Sequence, residues 1–263
     1  ARKMGGGFHL EEEKKAVNTG REEKQEVKGV LMTEGVIWKQ ILMFSLPLLV
    51  GNVFQQLYNT VDSIVVGNYV SSQALAAVGT SNSLINLIIG MFLGISVGAG
   101  VIISQYYGAR NHKKLSWAVH TCIALSIIGG VGMIVLGVLL SPVILVWMNT
   151  PADVLAESTT YLRIYFCGSL FNIVYNMGSG ILRAVGDSKR PLYFLIAASL
   201  TNVVLDLLFV LAFHWNVAGV AIATVASQGI SAVLVMWVLM TTKEPYRVEL
   251  GKIRIDKRMM KRV

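Results

Sequence analysis

The chain has 263 residues, 54% of them hydrophobic and only 14% charged, with a mean hydropathy of +0.60. A soluble domain carries about 25% charged residues, so composition excludes an ordinary soluble enzyme or binding module and points to an integral membrane protein. The net charge of +8 sits in short loops and the C-terminal tail rather than on an aromatic-studded soluble face. That argues against nucleic acid and for anionic lipid headgroups as partners. Cys122 and Cys167 lie in apolar segments without CxxC spacing, so neither a disulfide nor a metal centre is expected from them.

Residues 1–31 are rich in Glu, Lys and Gly and contain no apolar run. A basic start without a hydrophobic core is not a signal peptide, and the segment reads as a disordered charged extension. Met32 opens MTEGVIWKQ like a natural start. The first membrane helix is expected over 36–66, with no charge between Lys39 and Asp62. That is enough apolar chain to cross a bilayer, and Pro47 one turn before Gly51 invites a kink. A second helix, 72–107, would be about 54 Å long, more than a bilayer is thick. A glycine-rich third helix follows over 115–146, where small residues let neighbouring helices approach closely. A fourth is read as continuous over 152–184, a fifth over 191–213 and a sixth over 217–241.

The joints alternate in charge. Residues 109–114, 183–191 and the tail 243–263 carry Lys and Arg, whereas 67–73, 147–158 and 213–217 carry none. By the positive-inside rule, six helices then run with both termini cytoplasmic.

Against this apolar background the buried polar residues stand out. At 100° per residue Gln55, Asn59 and Asp62 fall on one face of the first helix. Asn202 and Asp206, four residues apart, share a face of the fifth. A carboxylate at membrane depth is costly and should face a bundle interior or an aqueous cavity. Two carboxylates in one cavity repel, so together they can hold a proton or a metal cation, as a proton- or sodium-coupled machine requires. The bland alternative is that each acid pairs with Arg163 or caps a helix near an interface. For Arg163 itself a structural role is favoured over substrate contact. His120 and His214 lie near helix ends, where interfacial histidines are common. No metalloenzyme spacing or phosphate loop occurs.

The ordered series PLLVGNVFQQLYNTVDSIVVG (47–67), ALAAVG (74–79), GAGVIISQYYGA (98–109), ILRAVGDSKRP (181–191), NVVLD (202–206) and GVAIATV (219–225) resembles the amino-terminal half of a transporter of the MATE (multidrug and toxic compound extrusion) family. The resemblance covers about residues 32–245. It implies an all-α integral membrane fold, a six-helix bundle corresponding to the N-lobe of a twelve-helix transporter, with 246–263 as a basic cytoplasmic linker towards a second six-helix lobe. It also implies a cation site, for H+ or Na+, at Asp62, Asn202, Asp206 and Thr224, and a bend at Pro47 when that site changes its ionisation. Tyr58, Tyr161 and Asn176 match polar positions of the same cavity, beside Gln55 and Asn59. Thr224 and Tyr161 come from the resemblance alone. The departure is length, since six helices stand where twelve are expected, as in a half transporter.

The expected function is therefore a cation-coupled antiporter of the cell membrane that exports small organic, often cationic, compounds. It is not an enzyme and needs no cofactor beyond the coupling ion. The alternative is a lipid or oligosaccharide flippase of related fold. Such a flippase would line its cavity with several Arg or Lys, and only Arg163 is available. A membrane prenyl- or acyltransferase would need a paired-acid metal motif or a His nucleophile motif, and neither occurs.

Overall fold

The computed structural model describes residues 36–253. The extension read over 1–31 and the end of the linker read over 246–263 lie outside them. The described chain is helical throughout its length, because backbone groups facing lipid find no water and must bond within their own helix. Its elements are α1 (Ile37–Tyr69), α2 (Ser72–Gly108), α3 (His112–Trp147), α4 (Ala152–Cys167), α5 (Ser169–Ala184), α6 (Lys189–Leu207) and α7 (Asn216–Thr241). A π-helical turn, Leu208–Ala212, continues α6, and a short 3-10 turn, Leu250–Lys252, closes the described chain.

Local chemistry sets the helix ends. The Ser71 hydroxyl accepts the Ala74 N–H at 2.9 Å to start α2, and Asn111 Oδ1 accepts the Lys114 N–H at 3.1 Å to start α3. Each satisfies a donor that the first turn leaves orphaned. At the end of α5 Gly186 adopts φ +91°. Its N–H and that of Asp187 then return to the carbonyls of Arg183 and Leu182, at 3.0 and 2.9 Å. Only glycine takes this left-handed position without steric cost.

Five helices, α1, α2, α3, α6 with its π turn, and α7, are long and apolar enough to cross a membrane individually. The fourth span departs from the continuous helix expected over 152–184. It is two 16-residue helices, α4 and α5, that meet at Gly168. The break has a packing reason: a Cβ on Gly168 would stand 2.5 Å from the side chain of Val225, so the bare backbone is what lets α7 approach.

The interior is organised at its two ends. One cluster joins α2, α3, α5 and α7 through Ile103, Leu115, Val119, Ile181, Val235 and Leu239. The other joins α1, α2, α4 and α7 through Val65, Val66, Leu162, Phe166 and Val220. The second reaches the α6–α7 turn, where Phe209 and Trp215 stack at 5.1 Å beside Phe213, the aromatic pattern of a membrane interface. Large apolar side chains on the outer faces of α1, α2 and α3, among them Leu49, Leu87 and Leu139, are exposed.

The basic segments converge at the opposite end. Tyr107, Lys189, Arg190 and Lys243 line one cavity there. Tyr246 and Val248 are buried in the first cluster, so residues after α7 fold back onto the bundle. His120, expected at a wet interface, is instead buried and holds that segment. The Glu249 N–H donates to its Nε2 at 3.0 Å, which leaves the ring proton on Nδ1, facing the Ser116 carbonyl at 2.7 Å. Beside it the exposed Glu249 carboxyl is held below its ordinary value by its hydrogen bond to Lys252. A leucine at position 120 removes the acceptor. A net hydrogen bond of about 1 kcal/mol corresponds to roughly fivefold in an opening equilibrium. We therefore expect His120→Leu to speed amide hydrogen exchange at Glu249 about fivefold, and unchanged exchange would show that His120 does not hold the segment.

Candidate functional site

Asp62 sits near the C-terminal end of α1, and Asn202 and Asp206 share one face of α6 just before its π turn. The packing of α1 against α6 brings the two faces together. Gly51 of α1 faces Leu192 and Leu195 of α6 across this contact, with ordinary van der Waals room for a Cβ. Asp62 is 6% exposed, Asn202 1% and Asp206 0%, and the two carboxyls lie close enough to interact directly. Asp62 Oδ1, both Asp206 oxygens and both amide atoms of Asn202 are buried with no hydrogen-bond partner among the described residues. The ion pairs among those residues are Arg190–Asp187 and Lys252–Glu249, both at the surface. Arg163, the cation that the bland alternative required, is exposed and donates to the Val138 carbonyl at 3.3 Å. The acids therefore have no neutralising partner inside the lobe.

An unsatisfied buried polar group costs about 1–3 kcal/mol and a buried charge far more. A cluster of at least four orphaned oxygen and amide atoms is thus a place where a proton or a hard cation gains much by binding. Oxygen donors of this kind suit a small hard cation. Tyr58 and Tyr161 are near enough to both carboxyls to interact with them electrostatically, and Tyr161 stacks on Tyr165 at 6.4 Å. Thr224 is buried on α7, where its hydroxyl donates to the Val220 carbonyl at 3.1 Å. No hydrogen bond joins it to Asn202 or Asp206.

Beside the acid pair lies a cavity of about 310 Å³. Of the expected residues Pro47, Gln55, Tyr58, Asn176 and Asn202 stand on its wall, whereas Asp62, Asp206, Thr224 and Tyr161 do not line it. Asn59 is on neither. It is exposed, and its amide donates to Gln56 Oε1 at 3.4 Å. It does not line this cavity, although it lies on the same side of α1 as Gln55, which does.

Other wall residues were not singled out in the sequence: Asn172, Ser179 and Arg183 on α5, Tyr165 on α4, and Gln228 and Ser231 on α7. The Gln228 amide donates to the Tyr165 hydroxyl at 3.4 Å, tying α7 to α4. A signal existed for the α5 set, since Asn172, Asn176, Ser179 and Arg183 recur at helical spacing. It was hidden because Arg183 reads as part of a basic loop, while the helix runs through Ala184.

Five apolar spans and the α4–α5 pair, with a buried acid pair and an adjoining polar cavity, define a polytopic helical membrane protein with an internal site. Residues 47–208 match the MatE family, and the chain belongs to it. It is 34% identical over 205 residues to the probable multidrug resistance protein YpnP of Bacillus subtilis, covering 78% of this chain and 46% of that protein. It is 25% identical over 231 residues to the multidrug export protein MepA of Staphylococcus aureus, covering 86% of this chain and 50% of MepA. A crystal structure of a MATE protein in the bent conformation superposes with a TM-score of 0.82 at 27% identity, over 89% of this chain and 52% of that one. The chain spans about half the length of the relatives it matches.

Proposed function

We propose that this chain is one lobe of a cation-coupled antiporter that exports small organic, often cationic, compounds. In the working transporter the lobe faces a second six-helix lobe. Binding of H+ or Na+ at Asp62 and Asp206, with Asn202 beside them and Thr224 within the same bundle, favours one shape of the cavity, and release favours another. Coupling follows if the cation and the exported compound prefer different shapes, since a ligand shifts an equilibrium only by its differential affinity. Pro47, which cannot donate a backbone hydrogen bond and stands on the cavity wall, is the place where α1 can bend. The basic segments gathered at one end favour an orientation in the cell membrane with both termini cytoplasmic.

The observation that carries this reading is the pair of buried carboxyls beside the cavity, close to each other and in no ion pair among the described residues. A flippase for pyrophosphate-bearing lipids has Arg183 in its favour. A single guanidinium is nonetheless a poor match for a pyrophosphate when the remaining polar wall residues are neutral. The test is uptake of a cationic dye into inside-out vesicles from cells expressing the complete coding sequence, under imposed pH and sodium gradients. Uphill dye movement driven by one gradient and collapsed by its ionophore is the expected result, and it identifies the ion. Dye movement indifferent to both gradients would refute cation coupling.

A further inference from the structure

We propose that Arg183 is the anion-recognising end of the cavity, so that the compounds held best carry a carboxylate or a comparable planar oxyanion. The inference rests on the reading of this cavity as the substrate chamber. Arg183 lies on the last turn of α5, half-buried, on the cavity wall. Asn176, Ser179 and Arg183 follow at spacings of three and four, so α5 turns one polar stripe to the cavity.

Neither of the two ion pairs among the described residues involves Arg183. The acid nearest in sequence, Asp187, is already held by the Arg190 side chain at 3.3 Å and by its N–H at 3.1 Å. One turn before Arg183, the Ser179 hydroxyl is 2% exposed and lies near the Tyr175 hydroxyl, which itself donates to the Pro191 carbonyl at 3.1 Å. A half-buried guanidinium with neutral hydroxyls as neighbours and no carboxylate partner among the described residues is unfavourable unless an anionic acceptor arrives. The fork of a guanidinium suits a carboxylate. The C-terminal end of α5 accommodates the positive charge through its helix dipole, but it supplies no planar acceptor. Along α6 the wall runs from Pro191, near Arg183, to Asn202, beside the acids, which is about 17 Å at 1.5 Å per residue. The cavity thus has one cationic end on a wall whose other polar residues are neutral, and an anionic group is complementary to that end.

The test uses tetramethylrhodamine, whose carboxylate is free, and its methyl ester, which lacks that charge. Binding of each to the full chain in lipid nanodiscs is read by fluorescence anisotropy. The expected result is about tenfold tighter binding of the free carboxylate dye. Arg183→Gln should abolish that preference by weakening the carboxylate dye alone, and Arg183→Lys should recover part of it. Equal affinities in the wild type, tighter binding of the ester, no binding of either dye, or equal weakening of both by Arg183→Gln would each overturn the proposal. Leu195→Trp, which fills the cavity, separates the two levels. If it weakens both dyes, the chamber reading stands however Arg183 behaves. If it leaves both untouched, the chamber reading falls and this inference with it.

Discussion

Asp62→Asn and Asp206→Asn are each expected to lower ion-driven efflux by about tenfold or more while leaving the lobe folded. Among the described residues these carboxyls make no ion pair, and each has the other as its close polar neighbour, to which an amide can still donate. Replacing either by the isosteric amide therefore strands no partner, unlike the removal of one member of a buried pair, which costs about 3–5 kcal/mol. Thermal stability should hold or rise, because an unpaired buried acid is a burden on the folded state. Coupling, by contrast, loses a charge-assisted contact to the cation. Such contacts are worth about 1.5–3 kcal/mol, and 1.4 kcal/mol is tenfold. The double variant should be little worse than either single one, as for groups acting on one ion. Asp187→Asn is the control, since it breaks a surface pair to Arg190 worth no more than about 1 kcal/mol. Efflux, membrane abundance and melting temperature measured together decide the matter. Undiminished efflux in both variants would make the acids structural, and lost abundance with lost efflux would make them folding determinants.

The second large effect is expected from a single methyl group. Gly137→Ala places a Cβ 2.2 Å from the ring of Phe166, a side chain only 1% exposed at the contact of α3 with α4. Between lipid-embedded helices there is no hydrophobic driving force to compensate, and association rests on close packing. Overpacking of this kind costs about 1–3 kcal/mol. We expect a fall in melting temperature of several degrees and reduced recovery of monodisperse protein from detergent. Gly132→Ala, one turn and a half away on the same helix, has nothing within 4 Å of its new Cβ. It should be neutral or slightly stabilising, because alanine is the better helix former by about 1 kcal/mol. Phe166→Leu should partly rescue Gly137→Ala. If the two alanine variants melt alike, the α3–α4 contact is looser than the structure implies.

The acid site was legible in outline because carboxylates are rare in apolar helices. Asp62, Asn202 and Asp206 stand out from the sequence by cost alone, and helical periodicity puts Asn202 and Asp206 on one face. The reading failed where helix boundaries or exact rotation mattered. Arg183 was placed in a loop because its neighbours Gly186, Asp187 and Lys189 look like one. Asn59 shares a face with Gln55 by period, yet only Gln55 lines the cavity, which rotation along one helix does not reveal. Gly168 was passed over because glycine inside a span reads as packing, and only the position of Val225 shows that it divides the span.

Sequence by itself determined the membrane class and singled out Asp62, Asn202 and Asp206 as candidates, since both follow from transfer free energies and from the period of the helix. The alternation of charged and uncharged joints likewise needs nothing but order along the chain. Tertiary structure alone decided that α1 lies against α6 so that the two carboxyls meet, and that Arg163 turns outward and leaves them unpaired. It alone set Arg183 at the far end of the cavity and turned the segment after α7 back onto His120. These facts depend on which helices touch and at what rotation. Between helices in lipid that choice rests on close packing at residues such as Gly137 and Gly168, and no local pattern in the chain records the shape of the surface they fit.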